Sequence, residues 1–418
     1  MGRGFAIAVC LVGLLSPTLT AQTLLPPALR ERGEPLTLQR LEELADQYHP
    51  ILPRDRAQID AARGVATQAG MWNNPRFDTN NPQVFNGRNT ALNAGFQQEI
   101  PVMGKKRLDQ AASNEVARQQ EYNLSQDRYS LLTSIRQQFY QVLSDQRRIQ
   151  VLTEMVEVLE KSYRAGEELK KGGLAAEIDL VPLRIEWRRA VGNLQASERL
   201  LASDRKQLSD LVGLPGLVDR DVMGQFSGDY PIFYEDQINR YVTQQHTQVR
   251  IAQAVIAQTK VQLRRAEVEP FPNPYMGPAY QYGLVPGLEQ FWFNIQFDIP
   301  VLNRNQGGIR AARGNVRASE ENLVAIQYNL LNQAHNLIGQ YESARAVVGE
   351  YEKNILPDSR DGLQKALDAY SKRTMDLATF LTVQRSVVQA NSDYLDALNN
   401  LWSSAVQLAG LLQLDRFR

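Results

Sequence analysis

The chain has 418 residues with 46 basic and 46 acidic side chains, a balance that provides no positive field to attract nucleic acid. Its one cysteine, Cys10, lies near the amino terminus, so no disulfide can staple the chain. Beyond the amino terminus no apolar stretch approaches the roughly 20 residues of a membrane-spanning helix, which excludes an inner-membrane transporter built of such helices.

Arg3 precedes an apolar run from Phe5 to Leu15, followed by Pro17 and Thr18-Leu19-Thr20-Ala21. The run is too short to span a bilayer and has the layout of a secretory signal peptide, predicting cleavage near Ala21 and export. Ile7-Ala8-Val9 before Cys10 does not resemble a lipoprotein processing site, so the predicted mature chain has no thiol. A helix is expected over 37–72. A strand over 76–85 then runs into Asn86-Gly87, a hairpin signal. In the next segment Leu92, Ala94, Phe96 and Ile100 alternate with Asn93, Gly95, Gln97 and Glu99, with Gln98 the exception. From 102 to 171 the only weak points are Gly104 and Gly166, which predicts one helix of about 70 residues, roughly 105 Å long. A break at Lys170-Lys171-Gly172-Gly173-Leu174 precedes a further helix over 174–213, and the turn formers between Leu214 and Tyr230-Pro231 read as a linker.

The second half repeats this plan about 200 residues on. Asn73-Asn74-Pro75 corresponds to Pro272-Asn273-Pro274, and Ile100-Pro101-Val102 to Ile299-Pro300-Val301. Likewise Lys171-Gly172-Gly173-Leu174 faces Lys372-Arg373-Thr374-Met375. The organisation is thus a signal peptide over 1–21, a first helix-strand-strand-helix repeat over 22–213, a linker over 214–232 and a second repeat over 233–418. Ile135, Val142, Ile149, Val156 and Tyr163 recur every seven residues. From Leu323 to Ile355 apolar positions alternate steps of three and four, the seams of coiled-coil packing. Two short helices can stack end to end alongside each long one. A periplasmic coiled coil without a pore accounts for these seams equally well.

The strands distinguish the two readings. Phe291, Phe293, Ile295, Phe297 and Ile299 alternate with Trp292, Asn294, Gln296 and Asp298, giving a lipid-facing row and a mostly polar row of which Asn294, Gln296 and Asp298 face a lumen. Such a segment has the length of a transmembrane β-strand, and a soluble coiled coil has no use for it. Its expected partner is 275–282, leading into a turn over 283–287. Pro82 and Pro278 fall within the partner strands and predict bulges or shortening, since proline cannot donate to a ladder. Four strands cannot close a barrel, and an open edge cannot face lipid, so copies must pool their strands.

No constellation supports catalysis or a cofactor. Gly104-Lys105 lacks the upstream glycines and the following Ser or Thr of a phosphate loop. The three histidines, 49, 246 and 335, are scattered. His49 and His246 occupy matching places in the two halves, where helix capping or packing accounts for them better than a metal site.

Over essentially the whole predicted mature chain the sequence resembles the TolC-family outer-membrane factors. The resemblance rests on the twofold repeat, on Gln68-Ala69-Gly70 leading to Asn74-Pro75, on Gly104-Lys105-Lys106-Arg107 after the second strand, and on Gly173 followed by Asp179-Leu180. It implies a mostly α protein with a small membrane β-barrel portion. Long antiparallel coiled-coil helices form an α-barrel across the periplasm, and four strands per subunit contribute to a trimeric twelve-stranded barrel in the outer membrane. The function implied is a passive, gated exit duct working with a periplasmic adaptor protein and an inner-membrane pump. The glycine-lysine-arginine segment looks most like the heavy-metal-efflux branch. The helical breaks become hairpin tips that meet the adaptor and gate the duct: Lys171, Gly172, Gly173, Glu177 and Asp179 at the first, Lys372, Arg373 and Asp376 at the second. There Arg373 replaces the glycine expected for the reversal. The alternative role for these residues is helix-end capping, with bases at carboxy-terminal and acids at amino-terminal ends.

Overall fold

The structure is a computed structural model and describes residues 36–417 except 86–87, 173–175, 218–219, 284–288 and 373. The predicted signal peptide, the turn expected at Asn86-Gly87, residues 284–287 of the loop expected between the second pair of strands, and Gly173, Leu174 and Arg373 lie outside the described residues. Helices α1 (Leu38–Tyr48) and α2 (Ile51–Gly70) lead into strands β1 (Arg76–Phe85) and β2 (Arg88–Glu99). The long helix α3 (Lys105–Lys171) follows, then α4 (Glu177–Val212). The second half comprises α5 (Glu235–Gln244), α6 (Thr247–Val268), β3 (Tyr275–Gly283), β4 (Gln290–Gln296), α7 (Gln306–Glu350), α8 (Leu356–Ser371) and α9 (Leu377–Leu411).

Helix α3 is 67 residues, about 100 Å at 1.5 Å per residue. It carries α2 along its sheet-proximal half and α4 along the other, fixed by Arg63 to Glu121 at 2.7 Å on α2 and by Gln138 to the Asp204 backbone carbonyl at 3.1 Å on α4. The two shorter helices meet end to end where Gly213, with a φ of +79°, sits so close to the His49 backbone that a Cβ would be 3.0 Å from its Cα. In the second half α6 lies beside the start of α7, and α9 beside the rest of α7 and α8.

The expected single helix over 37–72 is two helices. Pro50 has no N–H to continue α1, and His49 leaves the helical region with a ψ of 128°. The second long helix also departs from the α ladder, in a π turn over Tyr351–Ile355 where the Leu356 amide donates to Tyr351 five residues back. Pro357, just beyond, cannot donate to the Lys353 carbonyl, and the wider turn accommodates that lost bond. Glu352 within the turn accepts from the Tyr230 hydroxyl at 2.6 Å and the Tyr394 hydroxyl at 2.9 Å, tying the linker and α9 to it.

The core lies midway along the helices. The seam residues Ile135 and Val142 of α3 and Leu330, Ala334, Tyr341 and Val348 of α7 are buried there. Trp402 of α9 stacks on Tyr140 with ring centroids 4.2 Å apart, and its indole N–H donates to the Phe226 carbonyl of the linker at 2.8 Å. The linker joins the residues just before α1 through a parallel bridge between Leu36 and Val222.

Arg136 is the charged group most deeply set in this core, 1% exposed. Its guanidinium donates to the Glu42 carboxylate at 2.6 Å and to the carbonyls of Leu414 and Asp415 at 2.9 and 3.2 Å, so it clamps α1 and the carboxy terminus onto α3. Removing it leaves Glu42 without its counter-charge and two carbonyls without a donor, a loss of about 3 kcal/mol or more. Arg136→Ala is therefore expected to lower the urea midpoint of helix unfolding followed by circular dichroism, and Glu42→Gln, which keeps an acceptor, to lower it less.

Candidate functional site

The four strands form one antiparallel sheet in the order β1-β2-β3-β4, so in a single copy the outer edges of β1 and β4 have no ladder partner. Side chains directly opposite each other share a face, and the register sorts them cleanly. Phe77 lies opposite Phe96, Tyr280 opposite Phe291, Pro278 opposite Phe293 and Met276 opposite Ile295. This face is apolar and exposed: Phe291 is 73% and Ile295 54% accessible, and Phe77 stacks at a tilt on Phe96, 5.1 Å between centroids. The opposite face carries Asp78, Asn93, Gln97, Trp292 and Asn294 around a shallow hollow.

Both predicted prolines disturb the ladder. The β1 register shifts between Asn80 and Gln83, around Pro82. The pairing of β2 with β3 is interrupted between Gly95 and Gln98, opposite Pro278. There the Phe96 carbonyl oxygen comes so close to Gly277 that a Cβ would stand 1.7 Å from it, so only glycine fits.

One expectation is corrected. Strand β4 ends at Gln296, and Phe297, Asp298 and Ile299 lie beyond the ladder. Tyr275 pairs with Gln296, and the residues before it are Pro272-Asn273-Pro274, whose prolines have no N–H to extend the pairing. Of the two predicted rows, the ladder therefore includes Phe291, Phe293 and Ile295 on the apolar face and Asn294 and Gln296 on the polar one.

At the base of the sheet the matching Asn-Pro segments of the two halves converge. Asn73 and Asn273 donate to the two Glu99 carboxylate oxygens at 2.6 and 2.7 Å. Next to them the buried Lys105 ammonium donates to the Phe271 carbonyl at 2.6 Å and the Glu269 carbonyl at 3.3 Å, just past the end of α6. Asn305, with a left-handed φ of 55°, donates to the Ala266 carbonyl of the same helix end at 2.9 Å. These bonds satisfy carbonyls that a helix end leaves without partners and fix the sheet to the helices. Lys105 is thus a junction clamp.

At the far end of the helices, Lys171 at the end of α3 pairs with Glu168 at 2.7 Å, and Gly172 follows it. Glu177 opens α4 and pairs with Lys170 across the break, which holds its exposed carboxyl below the usual range. Asp179 lies in the first turn of α4. Lys372 caps the end of α8, its amide donating to the Asp368 carbonyl at 3.0 Å. Asp376 is the N-cap of α9: its two carboxylate oxygens accept from the Thr379 amide at 2.9 Å and hydroxyl at 2.7 Å, bonds that hold its carboxyl below the ordinary range. The breaks of both halves thus lie at one end of the helical body, and the partners of Glu177 and Asp376 are at helix ends.

His49 and His246 also stand at equivalent joints, between α1 and α2 and between α5 and α6. The Nδ1 of His49 accepts from the Ile51 amide at 3.3 Å and that of His246 from the Gln248 amide at 3.2 Å. Burial pushes His246 down to about 4. No group of three or more His, Cys, Asp or Glu arranged to hold a metal occurs among the described residues. Asp145 escaped the sequence reading. It sits three residues after Val142 on the α3 seam, and burial together with the neighbouring Asp204 of α4 pushes its carboxyl up to about 7. The signal in the sequence is an acid one turn after Val142, at the heptad place that Leu152 and Leu159 take later in α3.

No protein-family model matches the chain. It is 20% identical to the cobalt-zinc-cadmium resistance protein CzcC of Cupriavidus metallidurans over 409 residues, 96% of this chain and 97% of that protein. Among solved structures, the outer membrane protein VceC of Vibrio cholerae superposes with a TM-score of 0.75 at 15% identity, covering 90% of this chain and 96% of that one. The open state of the Neisseria gonorrhoeae outer membrane channel MtrE gives 0.75 at 14% identity over 90% and 88%. The fold is that of these outer-membrane channels.

Two outcomes test the helix-end assignments. Asp376→Ala is expected to speed amide hydrogen exchange at Thr379 and its neighbours while Asp376→Asn, also a good N-cap, leaves it slow. The unfolded chain binds a proton at an ordinary histidine value of about 6.5, whereas folded His246 binds it only near 4. Its stabilising contribution is complete above the first value and falls as pH drops toward the second, by at most about 1.4 kcal/mol per pH unit. His246→Asn should flatten the dependence of unfolding free energy on pH in that window.

Proposed function

We propose that this chain, which has the fold of the TolC-type outer-membrane channels, is the channel subunit of a tripartite efflux pump. It is a passive, gated exit duct running from the periplasm through the outer membrane and does no chemistry of its own. The observation that carries this reading is the sheet: four strands with both edges unpaired, one face apolar and exposed, the other polar around a hollow.

In hydrocarbon every backbone polar group needs an internal partner, so the β1 edge of one copy pairs with the β4 edge of the next until the ring closes. Three copies supply twelve strands. The apolar rows then meet lipid and Asn294 and Gln296 face water. The helices of each copy stand side by side below the barrel as a tunnel wall, built from the repeats over 22–213 and 233–418 with 214–232 between them. A pore-free periplasmic coiled coil, the other reading of the heptads, leaves the apolar face of the sheet without an occupant.

The tips at Lys171, Gly172, Gly173, Glu177 and Asp179, and at Lys372, Arg373 and Asp376, are the adaptor-facing end of the duct and the place where it narrows. The Lys170 to Glu177 pair across the first break supports that assignment, since a neighbouring hairpin or adaptor can exchange for either partner. Solvent screens such an exposed pair, which leaves it weak enough to be replaced on docking. The cargo class we assign is divalent metal cations, supported by the full-length match to a cobalt-zinc-cadmium resistance protein.

A charge placed at mid-bilayer on the lipid face of such a barrel costs roughly 2 to 4 kcal/mol. Ile295→Arg should therefore abolish the heat-sensitive oligomer in outer-membrane fractions, while Ile295→Phe and Asn294→Arg, on the polar face, leave it intact. Equal tolerance of arginine on both faces contradicts the barrel.

A further inference from the structure

The corrected end of β4 leaves a feature that the duct itself does not use. Residues 297–304 turn away from the ladder and enclose, with the segment after α6, a cleft of about 370 Å³. Phe271, Pro272, Phe297, Ile299 and Pro300 form its apolar lining, and Asp298 and Arg304 are its two charged members. The cleft is preformed. Its backbone is pinned by the Val301 amide to the Ile299 carbonyl at 2.9 Å, the Arg304 amide to the Gln306 side chain at 2.8 Å and the Asn305 side chain to Ala266 at 2.9 Å. Its apolar lining is open to the outside, with Phe297 54% and Ile299 74% accessible. Neither the Asp298 carboxylate nor the Arg304 guanidinium has an ion pair or side-chain hydrogen bond among the described residues.

We propose that this cleft is a binding site for a phospholipid of the inner leaflet of the outer membrane, with an acyl chain in the apolar lining, the phosphate on Arg304 and an ammonium headgroup on Asp298. The inference rests on the membrane reading of the sheet, because the cleft continues the lipid-facing row of Phe291, Phe293 and Ile295 at the sheet's helix-proximal end. Two opposite charges at one apolar opening match a zwitterionic headgroup, in which phosphate and ammonium are a few bonds apart. A guanidinium is suited to phosphate because its N–H groups present a fork, and a carboxylate to a primary ammonium because it accepts several of its protons. A quaternary ammonium has no N–H to donate, so phosphatidylethanolamine fits better than phosphatidylcholine. An anionic lipid such as phosphatidylglycerol meets Arg304 but is opposed by Asp298. The occupied site anchors the point where the rigid helical body meets the bilayer.

The test uses the full chain purified in mild detergent, exposed to equimolar phosphatidylethanolamine, phosphatidylcholine and phosphatidylglycerol, with retained lipid read by native mass spectrometry and channel formation read in parallel by planar-bilayer conductance. Preferential retention of phosphatidylethanolamine is expected. Arg304→Ala should weaken it about tenfold or more, the size of one lost charge-assisted hydrogen bond. Asp298→Asn should shift the preference to phosphatidylglycerol, an inversion that nonspecific annular lipid does not produce. Phe293→Ala, on the same lipid-facing row outside the cleft, should leave the preference unchanged. Equal retention of all three lipids, or an equal effect of Phe293→Ala, overturns the site while leaving the channel standing. If Arg304→Ala and Asp298→Asn instead dissociate the oligomer, the cleft is an interface between copies and the lipid assignment falls. Absence of conductance and of any oligomer in the unaltered protein overturns the channel reading itself.

Discussion

The unpaired edges of a half-apolar sheet constrain everything else in this molecule. Hydrocarbon can cover the row of Phe291, Phe293 and Ile295, but it cannot hydrogen-bond the outer N–H and C=O groups of β1 and β4. Water can satisfy those groups but leaves the aromatic face exposed. In the channel we propose, a sheet closed by other copies resolves both demands. Each copy then brings its own sector of wall, which accounts for two short strand pairs attached to helices of 67 and 45 residues.

The junction between sheet and helices carries the two halves as near equivalents. Asn73 and Asn273 converge on Glu99, and Lys105 and Asn305 satisfy the end of α6, so residues from matching segments of the repeat make one joint. Midway down, Arg136 and Trp402 draw α1, the linker and the carboxy-terminal segment into a single core. Toward the tips the core thins to small clusters around Met155 and Leu183, and interhelical contacts become exposed pairs such as Arg385 to Glu186. A gradient from buried core to exposed, exchangeable contacts suits the proposed duct, in which one end holds and the other moves.

Much of this was legible in the residues because period and length are local properties. The heptad of α3 found the buried seam at Ile135 and Val142, and alternation found both faces of the sheet. What escaped depends on partners remote in sequence. The end of β4 is set by Pro272 and Pro274, two dozen residues earlier, which stop the strand it pairs with. The π turn answers the missing N–H of Pro357, and its latch to Tyr230 crosses from the linker. The break at Pro50 is readable from the chain alone, because proline has no N–H to continue α1. At the tips, sequence identified the helix ends, and Asp376 and Glu177 have partners that suit helix ends. Which of their contacts change when a neighbour arrives depends on surfaces that a single chain does not contain.

Closure of the sheet between copies is most directly measured by disulfide trapping, since the only native cysteine lies at position 10. Cysteines placed on the apolar face of β1, at Phe77 or Thr79, can be combined in one chain with cysteines on the same face of β4, at Phe291, Phe293 or Ile295, and oxidised in isolated outer membranes. A closed ring predicts that at least one combination gives reducible dimers and trimers, while chains altered in β1 alone or β4 alone stay monomeric on denaturing gels. Absence of cross-links at every register, or links from β1 to β1 or β4 to β4, contradicts it.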